Sequence, residues 1–286
     1  MTSWLARLLL YVMACATLCA QPKRIVSTAP SITETLFALG LGDRVVGVTN
    51  YCTYPPEAQK IAKIGSFAQP NLEAILAMRP DLVIIHKTAV HSREQYAAIR
   101  LNVVEVQSVN ITNILDSIRT IGKAAGVERR GQELAASIEK ELADIQQRVA
   151  GKPKTSVMYI VGRSPNAIEG LVAVGGGAYL NELMERAGGS NIFKDARADY
   201  IKVSLEEVLA RNPEVIIDLG DMAEPERITE AHKKQVQALW SRYPSLRAVK
   251  SKRIHPVASN IYVVPGPRLV LAAREFGRLL HPELFH

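Results

Sequence analysis

NLEAILAMRPDLVII (71–85) returns 133 positions later as SLEEVLARNPEVIID (204–218). The copies agree at Leu72/Leu205, Glu73/Glu206, Leu76/Leu209, Ala77/Ala210, Pro80/Pro213 and Ile84/Ile217. Each reads as a short helix, a proline turn and a β-branched strand. Asn71 is the expected N-cap of the first copy, and Ser204 with Glu207 forms a capping box in the second. Glu73 and Glu206 therefore both fall in a first turn, where the helix dipole favours a carboxylate. Acidic residues are common in first turns for that reason alone. The repeat adds that one chain presents such a residue twice, at equivalent places.

Working outward, RIVSTA (24–29), RVVGVT (44–49), DLVIIH (81–86) and NVVEV (102–106) are strand-length β-branched runs. Between them lie helical patterns, among them Ser31 to Leu39, with the capping-box spacing Ser31-x-x-Glu34 at its start and Gly40 at its end. Alternation of this kind predicts a parallel α/β sheet. The pattern restarts with SVMYIV (156–161), YLNELMERAGG (179–189), EVIID (214–218) and RIHPV (253–257), which predicts a second α/β lobe. The expected division is an N-terminal lobe over 24–127, a connector over 128–150 and a C-terminal lobe over 154–286.

The connector carries Leu134, Ile138, Leu142, Ile145 and Val149 at spacings of four, four, three and four, the stripe of an amphipathic helix. It contains no proline, and Gly131 is its one glycine. A helix of about 20 residues spans roughly 30 Å. Such a rod holds two lobes at a nearly fixed angle, which a Gly/Ser linker does not.

Composition is that of a soluble globular protein, 48% hydrophobic and 22% charged. The net charge of +7 is spread among acidic residues, and the densest basic cluster is KSKR (250–253). With no basic arm or nucleic-acid motif, the charge reads as a solvated surface and no nucleic-acid partner is expected. Residues 1–20, MTSWLARLLLYVMACATLCA, have the charged, apolar and small-residue order of a secretory signal peptide. Two processing sites stay open: Ala14-Cys15-Ala16, or the lipoprotein-like VMAC (12–15), which would leave Cys15 lipidated. Cys15 and Cys19 lie in or beside the leader, so Cys52 is the one thiol certain to remain in the folded body. It excludes an internal disulfide framework.

The chain resembles the extracytoplasmic solute-binding proteins of ABC importers, in the helical-backbone class that delivers cobalamin, siderophores and haem, and within it the cobalamin-binding proteins. The resemblance runs from about Arg24 to Phe285, through RIVSTAPSITETLFALGLGDRVVGVT, YCTYPPEAQKIAKIGSFAQPNLEAILAMRPDLVI, GGSNIF, VSLEEVLARNPEVII and PGPRLVLAAREFGRLLHPE. It implies two Rossmann-like lobes, one linking helix and a ligand cleft between the lobes. It also implies that Glu73 and Glu206 dock onto arginines of the two permease subunits, which suits a pseudo-symmetric protein meeting a two-fold partner. The expected partners are the permease dimer and a small-molecule ligand. The protein itself is expected to be a monomer that meets the membrane through the permease or a lipid on Cys15.

A cleft lies beyond the carboxyl ends of parallel strands. That rule selects Tyr51, Tyr54, Phe67, His86, Arg163, Tyr200 and Tyr262 as ligand-binding candidates. Aromatic rings suit a large, flat, partly apolar ligand such as a corrinoid. Ordinary lobe packing is the alternative for each of them. By that resemblance Phe67, His86 and Tyr200 stand where cobalamin binders often present tryptophan, whereas the two tryptophans here are Trp4 and Trp240. The ligand expected is thus a corrinoid, with an iron-siderophore or haem as alternatives. An exported enzyme using His86, Cys52 or Arg163 is the reading of a different class. No cofactor or catalytic residue is expected. Gly175–Gly177 lacks the rest of a phosphate loop and reads as a tight turn, His86 and His91 lack the further ligands of a metal site, and no nucleophile elbow surrounds Ser164.

Overall fold

A computed structural model describes residues 21–87, 93–220 and 228–285. The leader 1–20 and His91 lie outside the described residues. In the N-terminal lobe the order is β1 (Ile25–Ser27), α1 (Pro30–Ala38), β2 (Val45–Gly47), α2 (Leu72–Ala77), β3 (Leu82–His86), α3 (Arg93–Ala98), β4 (Val103–Val106) and α4 (Ile111–Ala124). Its sheet is parallel throughout, in the order β2-β1-β3-β4. β3 is buried along its whole length, as a strand covered on both faces must be, and its near-continuous LVIIH reflects that.

α5 (Glu128–Arg148) follows, and the predicted stripe is its buried face: Ile138, Leu142 and Ile145 are sealed. It packs along α4 on one side and against helices of the second lobe on the other. The contact with α4 is closest at two glycines. A Cβ on Gly122 would lie 2.8 Å from the Gly131 Cα, and one on Gly131 would stand 3.1 Å from the Gly122 Cα and the Ile118 carbonyl oxygen, so the helices meet there backbone to backbone.

The second lobe runs β5 (Thr155–Gly162), β6 (Val172–Val174), α6 (Tyr179–Arg186), β7 (Gly189–Asn191), β8 (Tyr200–Lys202), α7 (Leu205–Arg211), β9 (Val215–Asp218), α8 (Glu230–Trp240), α9 (Arg247–Lys250), β10 (Ile254–Pro256) and α10 (Leu269–Leu280). The sheet order is β10-β9-β5-β6-β8, with β7 paired to β5. The first three strands are parallel, as the sequence predicts, but β6 and β8 add antiparallel pairs. These two strands are only three residues long, too short to carry a periodic signal. One apolar cluster runs from Ile114 and Ile118 of α4 through Ile138 and Leu142 of α5 to Tyr159 and Phe276 in this lobe. The connector is thus part of the core it joins.

The repeat folds as its sequence predicts. Asn71 Oδ1 accepts from the Ala74 amide at 2.9 Å. Ser204 and Glu207 close their capping box at 3.2 Å in both directions. The predicted box at Ser31 does not form. Pro30 occupies the first helical turn, and no side chain caps Ala29. Ser31 and Glu34 instead turn their side chains away from the helix end, to partners described below. Gly40 ends this helix in the left-handed conformation (φ +71°), as predicted.

Replacing Gly131 by leucine should destabilise the protein by about 1–3 kcal/mol or more, because a side chain there forces α4 and α5 apart. Urea denaturation checks this. Gly151→Leu probes a glycine whose Cβ meets nothing within 4 Å, so it should report only the strain of its positive φ.

Candidate ligand cleft

The two lobes face each other across a cavity of about 740 Å³. One wall is built from the carboxyl ends of the N-terminal strands. Ala29, Pro30 and Ser31 follow β1, His86 and Lys87 end β3, and Gln107 to Val109 follow β4. Phe67 completes that wall. The opposite wall is Asp199, just before β8, and the segment Val263–Pro265 before α10. Three adjacent parallel strands thus deliver their last residues to one concave surface, as an open α/β sheet does.

His86 is nearly buried, and its Nε2 lies 2.8 Å from the Ser31 hydroxyl, which fixes the ring plane. Phe67 approaches the imidazole edge-on, with ring centroids 6.4 Å apart. The apolar surface comes from Ala29, Pro30, Phe67, Val109 and the Val263–Pro265 segment. Lys87 supplies the cation among the described lining residues and Asp199 the carboxylate.

Behind the cavity the lobes are clasped. Arg268 donates to both oxygens of Glu34, from Nε at 2.9 Å and from Nη2 at 2.5 Å. The side chains of Glu34 and Arg268 are 3% and 17% exposed, so the pair is largely shielded from water. Burial pushes the Glu34 carboxyl up, and the Arg268 guanidinium pulls it back only in part. Arg268 also stacks 3.7 Å above the Tyr54 ring. Gly266 passes so near α1 that a Cβ would stand 3.4 Å from the Ser31 Cα. Nearby, Asn260 donates to the Thr53 hydroxyl at 2.9 Å.

The predicted ligand residues are therefore not one constellation. Phe67 and His86 line the cavity. Tyr200 follows Asp199 and is half-exposed, and Tyr51 is exposed. Tyr54 lies under Arg268 in a separate groove that also contains Glu34 and Pro267. Arg163 is buried in the second lobe: its Nε bonds the Asp218 carboxylate at 3.1–3.2 Å, and Trp240 Nε1 donates to the same group at 2.7 Å. Tyr262 is buried, packs on Phe276 at 5.8 Å and borders a different depression. Cys52 is fully buried between the hydroxyls of Thr33 and Thr49, each 3.1 Å from its sulfur. The groups considered for an exported enzyme are thus in separate places. Sequence reasoning missed Ser31, Lys87, Gln107, Ser108, Asp199 and the Val263–Pro265 segment. The strand-end rule that found His86 also selects Lys87 and Gln107, while Asp199 had no signal.

Gly175–Gly177 forms the predicted turn, and it does more. Its amides donate to the carbonyls of Asp199 (2.8 Å), Ala196 (2.8 Å) and Ala198 (3.4 Å). Among the described residues there is no group of three His, Cys, Asp or Glu side chains able to hold a metal.

Removing the clasp with Arg268→Ala should cost about 3–5 kcal/mol, the usual penalty for stranding a buried charge. Glu34→Gln should cost less, because the amide keeps an acceptor for the guanidinium. Equilibrium denaturation of both variants measures this. A loss below about 1 kcal/mol for Arg268→Ala is the value of an ordinary surface pair and would dismiss the clasp.

Known proteins share this architecture. The vitamin B12-binding protein of Salmonella choleraesuis (strain SC-B67) is 31% identical over 254 residues, 88% of each chain. The crystal structure of the periplasmic vitamin B12 binding protein of Vibrio cholerae superposes with a TM-score of 0.75 at 26% identity, covering 91% of this chain and 96% of that one. The periplasmic haem-binding protein of Roseiflexus sp. RS-1, in its apo form, gives 0.72 at 27% identity, covering 90% and 98%. A family model described as periplasmic binding protein matches residues 25–257, and the chain belongs to that family, as an extracytoplasmic solute-binding protein of the ABC-importer type.

Proposed function

We propose that the protein captures a corrinoid outside the cytoplasmic membrane and passes it to the permease of an ABC importer. The observation that carries the ligand class is the lining of the cleft among the described residues: apolar and aromatic walls, uncharged Gln107 and Ser108, one lysine and one carboxylate. A corrin ring bordered by neutral amides matches that balance, whereas the carboxylates of haem and the anionic groups of catecholate siderophores call for several cations. The similarity to vitamin B12-binding proteins points the same way. One observation favours haem instead: the cavity contains the imidazole of His86, an iron-ligand type.

Thermal unfolding separates the two. Cyanocobalamin at 100 times its dissociation constant should add about 2.7 kcal/mol to stability. No shift with cyanocobalamin beside a clear shift with hemin or a ferric siderophore would reject the corrinoid.

Delivery needs a docking surface, and we assign it to Glu73 and Glu206. Both are exposed, and each begins a helix that leads into a strand of its own sheet. The Glu206 carboxyl is held below the usual range by its own backbone amide and by the Ser204 hydroxyl, so it keeps its charge. Close charge pairs across an interface couple by roughly 1.5–7 kcal/mol. Glu73→Arg and Glu206→Arg should each weaken uptake, and the double variant should abolish it, with ligand affinity unchanged. Glu207→Ala is the control: it opens the capping box and should cost about 1 kcal/mol of stability while uptake persists. Normal uptake by the double variant would return both glutamates to plain helix-start acids.

A further inference from the structure

Among the described lining residues Asp199 is the acidic one, and it was invisible in the sequence. It is exposed to the cavity, and its carboxylate has no hydrogen bond or ion pair among the described residues. A side chain on an exposed loop would ordinarily swing clear of a ligand that repelled it. Here the backbone that carries it is pinned from two sides. Its own carbonyl accepts from the Gly175 amide at 2.8 Å. The next residue, Tyr200, pairs with Val174 in the β6–β8 ladder. Gly175, Gly176 and Gly177 lie against residues 194–199 so closely that a Cβ on any of them would collide with backbone carbonyl oxygens there, and one on Gly177 would stand 2.8 Å from Asp199 Oδ1. The triple glycine thus fixes the backbone from which the carboxylate projects.

We propose that Asp199 is the ligand-selecting residue of the cleft and that Gly175–Gly177 is its positioning element. The carboxylate accepts N–H donors from a neutral, amide-bearing ligand and repels one that carries carboxylates of its own. Such selection works by penalising the wrong ligand, since like charges brought together in a desolvated site cost several kcal/mol. Lys87, on the opposite wall just after β3, is the one cation among the described lining residues. One cation cannot neutralise both a fixed carboxylate and a dianionic ligand. The inference rests on the reading of this cleft as the ligand site.

The experiment measures dissociation constants for cyanocobalamin, a neutral ferric hydroxamate and hemin, in the full mature chain, by quenching of intrinsic fluorescence and by visible titration. The readout is the ratio of hemin affinity to the better of the two neutral affinities. Asp199→Asn keeps the side-chain shape and should raise that ratio by about tenfold or more. Gly176→Ala keeps the carboxylate but shifts its loop, and should move the ratio in the same direction. Val236→Ala, in the core of the second lobe away from the cavity, lowers stability and should leave the ratio where it was. A ratio unchanged in Asp199→Asn overturns the selecting role. A ratio changed in Asp199→Asn but not in Gly176→Ala overturns the positioning role of the glycines. Wild-type protein that holds hemin more tightly than both neutral probes, or holds none of the three, overturns this inference. Preference for the hydroxamate over cyanocobalamin would remove the corrinoid assignment and leave the charge selection intact.

Discussion

The ion pair between Glu34 and Arg268 joins residues 234 positions apart in the chain, and the shape of the cleft depends on it. Arg268 opens α10, and the segment just before it, Val263 to Pro265, is one wall of the cavity. Glu34 lies in α1, whose first residues, Pro30 and Ser31, form part of the other wall. The clasp therefore ties the two surfaces that a ligand would touch. Its shielding raises the cost of separating the charges and also the cost of having buried them. A solvated pair at the same place would let the lobes drift, and the cavity would lose its fixed width.

The clasp does not act alone. The connector α5 runs along α4 with glycine against glycine and buries its apolar stripe in a core that continues into the second lobe. A hinge of independent domains would show two cores with a solvated strut between them. Here the strut is packed, so relative motion of the lobes must disturb close-packed side chains. The structure favours a cleft with a preset shape, adjusted by side chains, over one that opens and shuts widely.

The legible part of the fold was that governed by local chemistry. Periodicity gave the connector helix, β-branched runs gave the parallel strands, and caps gave the ends of the repeated helices. Short side chains that satisfy a cap also satisfy other partners, and that is where the reading failed. Ser31 and Glu34 have capping-box spacing, but Pro30 already suits the first turn. Their side chains were taken by His86 and Arg268, contacts between distant segments that no spacing rule contains. The site followed the same division. His86 was selected because it ends a strand, and it lines the cavity. Arg163 was misplaced because a buried carboxylate at Asp218, 55 residues on, claims its guanidinium. Tyr54 and Tyr262 were chosen as rings near strand ends, yet one faces Arg268 and the other Phe276. Asp199 lies in a stretch with no period at all. Its place is set by glycines more than twenty residues earlier, whose lack of side chains reads from the sequence only as a turn.

Cys52 has a consequence of a different kind. Its sulfur is sealed in the core of the first lobe, with a threonine hydroxyl on either side. A thiol so placed meets oxidants, alkylating reagents or a second molecule's thiol only when that lobe opens. Among the described residues it is the single cysteine, so covalent labelling of them has one address. The rate of that reaction is then a clock for breathing of the N-terminal lobe, one that needs no engineered probe and that any occupant of the neighbouring cleft would slow by the extent to which it holds the lobe shut.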